Sequence, residues 1–246
     1  EEPELFTARL ERSLERVECF NAGVGGYSTL QELRAMRPQL AKYSPDLVVL
    51  VVYENDFQDN LMPYYCFLGP RPYVRVRGQQ VEVVDDPDPA PFERFLMPAP
   101  CALWCYEHCA LYRMVHKNVF WQLRGLELVE LEQRERADLR EVDERIAMAW
   151  LLQQVQATVQ AARAKLLVAA IPVREDARAG SALSHQWLAE TCDRLGVPFV
   201  STLQALHDAG VDRVYLPKDI HLTARGHECI AQALQAPIAA ALAGGK

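Results

Sequence analysis

Near the end of the chain, Leu216-Pro-Lys-Asp219-Ile-His221-Leu-Thr-Ala-Arg-Gly226-His sets a carboxylate two residues before an imidazole. On an extended segment, residues i and i+2 project to the same side. Asp219 can therefore orient His221 and stabilise its cation, as an orienting group serves a general base. Far upstream, Asn21-Ala-Gly23-Val-Gly-Gly26-Tyr-Ser-Thr29 and Tyr53-Glu-Asn55-Asp56 offer a glycine N–H and an asparagine amide, each just after a predicted strand. Donors of these kinds stabilise the oxyanion of acyl transfer. Singly, each signal has a plainer reading: a helix cap, a positive-φ turn or an Asn-Asp turn. In a parallel sheet, however, all three loops open at the carboxyl edge, where ligand sites of such folds form. A nucleophile is still required, and no serine follows a strand and tight turn. Ser13 lies within a predicted helix, Ser28 in the glycine turn, and Ser44, Ser181, Ser184 and Ser201 at helix ends or caps.

The elements that must position these residues alternate in type. Residues 3–14 read as a helix with Leu5, Phe6, Leu10 and Leu14 on one face, and 17–24 as a strand entering the glycine turn. The next helix runs from Ser28 or Thr29 to about Lys42, with Glu32 near the capping-box position. Leu47–Tyr53 is apolar at every position, as in a strand covered on both faces. Later come a helix over 143–165, a strand over 166–171, a helix over 181–195 and a short strand over 197–200. The last helix covers 223–242, where Pro237 is expected to kink or end it. Such alternation predicts a parallel sheet with helical crossovers.

From about 59 to 142 the rhythm breaks. Tyr73–Arg77 against Gln80–Val84 reads as a hairpin turning at Gly78, followed by a proline-rich loop, an aromatic helix over 101–124 and a charged helix over 127–144. We read 59–142 as a lid-like insertion within one domain spanning 1–246.

Taken together, Asn-x-Gly-x-x-Gly-x-(Ser/Thr), a strand leading into x-Asn-Asp, and Asp-x-His-Leu-x-x-x-Gly-His resemble the second, third and fifth sequence blocks of the SGNH (GDSL-type) hydrolases. The resemblance spans Asn21 to Ala233. It implies a flavodoxin-like three-layer α/β/α fold and hydrolysis of acyl esters, O-acetylated sugars, lipids or thioesters, with no metal or organic cofactor. Matched motif to motif, Gly26 and Asn55 fall in the oxyanion hole, and Asp219 and His221 in the catalytic triad. Two departures stand out. Tyr53 occupies the usual glycine position of the third block, and the first block, Gly-Asp-Ser after the first strand, has no match.

In the flavodoxin order 2-1-3-4-5 the first strand is central, and the four predicted strands correspond to the second to fifth. Without it, two strand edges face a slot about 10 Å wide, twice the inter-strand spacing. The expectation is a fold lacking its first central strand, with the nucleophilic serine upstream of Glu1 and this chain inactive alone. A polysaccharide O-acyltransferase on the same triad is an alternative. So is a non-catalytic module that binds a glycan or partner through the aromatic insertion.

Composition narrows the partners. The 246 residues are 50% hydrophobic and 24% charged, with a net charge of -7 and no basic block, which argues against nucleic acid. No apolar run reaches the ~20 residues of a membrane helix. Seven cysteines, an odd number, exclude a complete disulfide framework and give a mild preference for a cytoplasmic address. Cys101, Cys105 and Cys109 form one helical stripe too long to converge on a single metal. Arg174, just after the strand over 166–171, is a candidate substrate contact, with pairing to Glu175 or Asp176 as the plainer reading. His108, His116, His185 and His207 show no partner in the sequence, and His227 is read as support for the His221 loop.

Overall fold

Three apolar strands run parallel in the order β1 (Leu47–Tyr53), β6 (Lys165–Ile171), β7 (Phe199–Ser201). The structure, a computed structural model, describes residues 4–65, 69–85, 101, 104, 105, 108–115, 139–217 and 219–243. Strand β1 pairs with β6 over seven consecutive positions, from Leu47 against Lys165 to Tyr53 against Ile171. A parallel sheet flanked by helices is consistent with the expected flavodoxin-like fold. Five central residues of β6 are buried, whereas in β1 only Leu50 and Val52 are. Burial thus separates two predominantly apolar strands: β6 has a strand on each side, and among the described residues β1 has one on one side.

The predicted strand over 17–24 is not formed. These residues run without regular structure and leave Phe20 and Val24 exposed, the Phe20 ring lying 4.4 Å from that of Tyr43. A strand is defined by its neighbour's hydrogen bonds, and in the expected order this segment's neighbour would be the central strand. Among the described residues the parallel sheet therefore has three strands rather than the expected four.

By contact, the chain divides into two units. The first comprises 1–23, 33–54 and 152–246, and the second 24–32 and 55–151. In the first unit, α1 (Phe6–Ser13) buries Leu10 against the last helix, whose residues Ile230, Leu234 and Ile238 share a core with Leu167 and Ala169 of β6. That last helix, Ala224–Ala243, continues through Pro237, so of the expected kink or end the end is not seen.

The second unit holds the start of α2 (Thr29–Tyr43), α3 (Asn55–Asp59), the paired β2 (Tyr64–Tyr65) and β3 (Gly69–Pro70), and the hairpin β4 (Tyr73–Arg77) and β5 (Gln80–Val84). The hairpin has the expected register and turns through Gly78 at φ 63°. It also holds the first half of α4 (Glu141–Ala161), whose buried Met148 accepts a long contact from the Thr29 hydroxyl. The cap of α2 is built differently from expectation. Gln31, not Glu32, accepts from the Ser28 N–H and hydroxyl, while its own amide donates 2.6 Å to Pro72 O. The rest of the proline-rich loop and most of the two helices expected over 101–144 lie outside the described residues. Among those described, no helix is long and apolar enough to cross a membrane.

Glu32 is left with a buried carboxylate oxygen that finds no partner among the described residues, and burial pushes its carboxyl up to about 7. A raised carboxyl pKa means that the folded state binds the proton more tightly than the unfolded chain. The resulting penalty is absent below the ordinary value of 4.5 and is complete above 7. Glu32→Gln should therefore raise stability by roughly 1–3 kcal/mol at pH 8 and have little effect at pH 4. Denaturant melts at the two pH values check this, and an equal effect at both would contradict it.

Candidate active site

His221 stands at the tip of a tight loop. Val211–Val214 is the short helix α8, and Tyr215 bridges antiparallel to Leu222. Inside that bridge, Leu216 N–H donates to His221 O at 2.9 Å and Asp219 N–H to Leu216 O at 3.2 Å. Pro217, second in this four-residue turn, presets its backbone angle. Thr223 N–H donates to Val214 O at 2.9 Å, and the Thr223 hydroxyl accepts the Gly226 N–H at 3.2 Å, capping α9 (Ala224–Ala243).

Asp219 and His221 meet as expected. His221 Nδ1 lies 2.6 Å from Asp219 Oδ1, and the same oxygen accepts the His221 backbone N–H at 3.1 Å. An ionised carboxylate only accepts, so it favours the tautomer with hydrogen on Nδ1 and leaves Nε2 as the basic nitrogen. The His221 side-chain bond, followed by its backbone N–H, holds the Asp219 carboxyl below its ordinary range. The imidazole is 74% exposed, so Nε2 is reachable from solvent.

Three anchors seat this loop. The buried Tyr215 hydroxyl donates to Pro172 O at 2.6 Å, just past β6. Arg174, the first residue of α5 (Arg174–Ala179), donates 2.9 Å to Leu216 O and pairs at 2.7 Å with Asp212, which also receives Arg178 at 3.1 Å. The Arg174 guanidinium thus clamps the His221 loop, with Asp212 as its acidic partner in place of Glu175 or Asp176. The third anchor is Gly226, where an added Cβ would lie 2.4 Å from Val214 O.

Gly26 and Asn55 share a frame in the second unit. Gly26, at φ 81°, is the third residue of a turn closed by Tyr27 N–H to Val24 O at 3.1 Å. That bond does not use the Gly26 N–H. Asn55 opens α3, and its Nδ2 donates 2.7 Å to Asp59 Oδ2. Arg71, 6% exposed, donates 2.8 Å to Gly26 O and 2.6 Å to Asp59 O, and its Nη2 lies 3.8 Å from Asp59 Oδ1. Neither Asp59 nor Arg71 emerged from the sequence as a site residue. For Asp59 a signal existed, since Asn55 and Asp59 stand four apart on one helix face. Asp56 is buried beside them. Tyr53 ends β1, and burial, then Glu175 and Glu54, pushes its phenol up to about 12.

Several histidines that looked partnerless have partners. His185, buried on α6 (Leu183–Leu195), lies 2.6 Å from Ser201 Oγ, and His207 lies 2.9 Å from Ala177 O. His108 contacts Trp104 O at 3.0 Å, and His116 is outside the described residues. Ser201 also accepts the Leu203 N–H at 3.3 Å, one residue outside Thr202, the N-cap of α7 (Leu203–Ala209). Burial holds the His185 imidazole below its ordinary pKa, against the opposing effect of a bond to the Ile171 carbonyl. His227 stacks on Phe6 at 6.0 Å and so joins α9 to α1, a different role from supporting the loop.

The profile of the GDSL-like Lipase/Acylhydrolase family matches residues 1–229, a span that contains Gly26, Asn55, Arg174, Asp219 and His221. No curated protein and no solved structure matches the chain. Within that span, Gly226 tests how the loop is seated. The backbone oxygen facing it cannot yield, so Gly226→Ala should cost about 1–3 kcal/mol, as overpacking does. At Gly25 an added Cβ meets nothing within 4 Å, and Gly25→Ala should leave the melt nearly unchanged. Equal melting of the two variants would refute the close-approach role of Gly226.

Proposed function

The chain belongs to the GDSL-like lipase/acylhydrolase family, and from that premise we propose a serine esterase of SGNH type that uses His221 as base and Asp219 as its orienting group. Family membership makes it an acyl hydrolase with small ester substrates. The finer reading is hydrolysis, or transfer, of an acyl group from an ester such as an O-acetylated sugar or a lipid. It rests above all on the 2.6 Å contact that fixes His221 Nδ1 on Asp219 and leaves Nε2 open.

In this scheme a serine Oγ attacks the acyl carbon while Nε2 of His221 takes the serine proton. The carbonyl π pair moves to oxygen, and the Gly26 N–H and Asn55 amide stabilise that oxyanion. Collapse re-forms the carbonyl, the C–O bond to the alcohol breaks, and His221 returns the proton to the departing oxygen. Water, or a sugar hydroxyl in the transferase variant, then repeats the sequence on the acyl-enzyme. Asp219 remains ionised throughout, in keeping with its lowered pKa. Arg174 acts by holding Leu216 and Asp212 and needs no contact with substrate.

The proposal puts the serine on a strand beside β1 that precedes α1 in the full-length protein. Three observations support this. Among the described residues, β1 is paired on one side, residues 17–24 have no ladder partner, and α1, a helix that such a strand would lead into, packs on α9. The full-length protein should hydrolyse p-nitrophenyl acetate, and His221→Ala should lower kcat/KM by about 10³-fold or more. Undiminished hydrolysis by a folded His221→Ala variant would remove His221 from the mechanism.

A further inference from the structure

The oxyanion donors raise a geometric problem that is separate from the base. An asparagine amide presents either an N–H or a carbonyl oxygen depending on a half-turn about its last bond, and only one of these stabilises a developing oxyanion. A glycine in an exposed turn likewise points its N–H usefully only if the flanking peptides are held. Both donors are held here by the same pair of buried side chains.

We propose that Asp59 and Arg71 are the positioning residues of the oxyanion hole, Asp59 acting through the Asn55 amide and Arg71 through the Gly26 peptide. This rests on the reading of Gly26 and Asn55 as oxyanion donors given above. Asp59 is 1% exposed, and its Oδ2 lies 2.7 Å from Asn55 Nδ2. Because a carboxylate accepts and never donates, it fixes the amide with NH₂ inward. One N–H then engages Asp59, and the other, about 120° away in the amide plane, points away from it. The negative charge on Asp59 also polarises the amide towards donation. Asn55 and Asp59 are four apart on α3, a helix of five residues, so helical pitch alone sets their separation.

Arg71 ties this arrangement to the glycine turn. Its fork donates through Nη1 to Gly26 O at 2.8 Å and through Nη2 to Asp59 O at 2.6 Å. The backbone N–H of Arg71 is anchored in turn on Pro63 O at 2.9 Å. The Gly26 carbonyl and the Tyr27 N–H belong to one peptide, so Arg71 and the Val24–Tyr27 turn bond both fix that plane, and the Gly26 N–H in the preceding peptide is directed from it through the Gly26 φ of 81°. A planar guanidinium suits this task because one rigid group reaches two acceptors. The buried charges also have a plain structural reading, that of a pair which only stiffens the unit. The two readings differ in where a loss would appear.

The experiment uses the full-length protein and p-nitrophenyl acetate, with a melt of every variant. Asp59→Asn is expected to lower kcat by about 10- to 100-fold with KM nearly unchanged, because a mis-set donor acts in the transition state. In an Asn55→Ala background the same substitution should have no further effect on kcat, since the group through which Asp59 acts is gone. Arg71→Lys keeps the buried charge but not the fork, and should lower kcat in the same manner. A kcat unchanged in Asp59→Asn, or a loss that persists in full in the Asn55→Ala background, would overturn the proposal. Should Asp59→Asn fail to fold, the native protein still decides. The Asn55 side-chain amide must show a downfield, slowly exchanging proton by NMR, and a freely exchanging amide refutes the contact. Wild-type inactivity, or full activity of His221→Ala, would instead count against the esterase reading.

Discussion

Seven unbroken pairs between β1 and β6 set the level at which the loops after these strands leave the sheet. Tyr53 and Ile171 end their strands side by side, and β7 joins at the same height through Ala170 against Ser201. Arg174 can therefore reach Leu216, and Pro172 can accept from Tyr215, because both follow β6 at a fixed distance from its last pair. Along the chain, Asn55 follows β1 by the same rule, two residues after Tyr53. A slip of one residue would turn Leu50 and Val52 from the core to the opposite face. The loop carrying Asp219 and His221 is thus seated on a register chosen by apolar burial.

The same sheet explains the most informative failure of sequence reading. Leu47–Tyr53 and the β6 segment were legible nearly to the residue, as were the hairpin and the long helices, because composition and period are local properties. Residues 17–24 have strand-like composition too, yet form no ladder. Pairing is a property of two segments, and a single segment's propensity says nothing about whether its neighbour is beside it. The exposed Phe20 and Val24 are the physical signature of a strand-like segment without a ladder.

Within the site, legibility followed chemistry that is contiguous in sequence. Asp219 and His221 were visible because two residues of separation already bring the groups together. The prominence of Gly226 in the motif gains a physical reason from the structure: the first turn of α9 lies against the Val214 carbonyl with no room for a side chain. Arg71 was invisible for the opposite reason. It lies 45 residues from Gly26, and an arginine between two prolines carries no periodic mark of burial. Glu32 was misassigned as the capping residue because a one-residue difference on a helix start is below the resolution of pattern reading, and Gln31 serves the cap with a neutral group.

The two halves of the proposed chemistry are held in physically different ways, and each suits its task. Asp219 and His221 form an exposed pair, and exposed ion pairs add little to stability. Their geometry comes instead from the backbone bonds of the loop, from Tyr215 and from Arg174, so Asp219 is left to select a tautomer rather than to hold the fold. An exposed base also keeps Nε2 free to exchange its proton with an incoming hydroxyl. Asp59 and Arg71 are in contrast buried, and their charges act at low local dielectric, where orientation is enforced strongly and misplacement is costly. A base must protonate and deprotonate in each cycle, whereas an oxyanion donor must remain as it is while charge develops against it. Placing the switching group on a solvated loop and the fixed dipoles on a buried ion pair satisfies both demands within one chain.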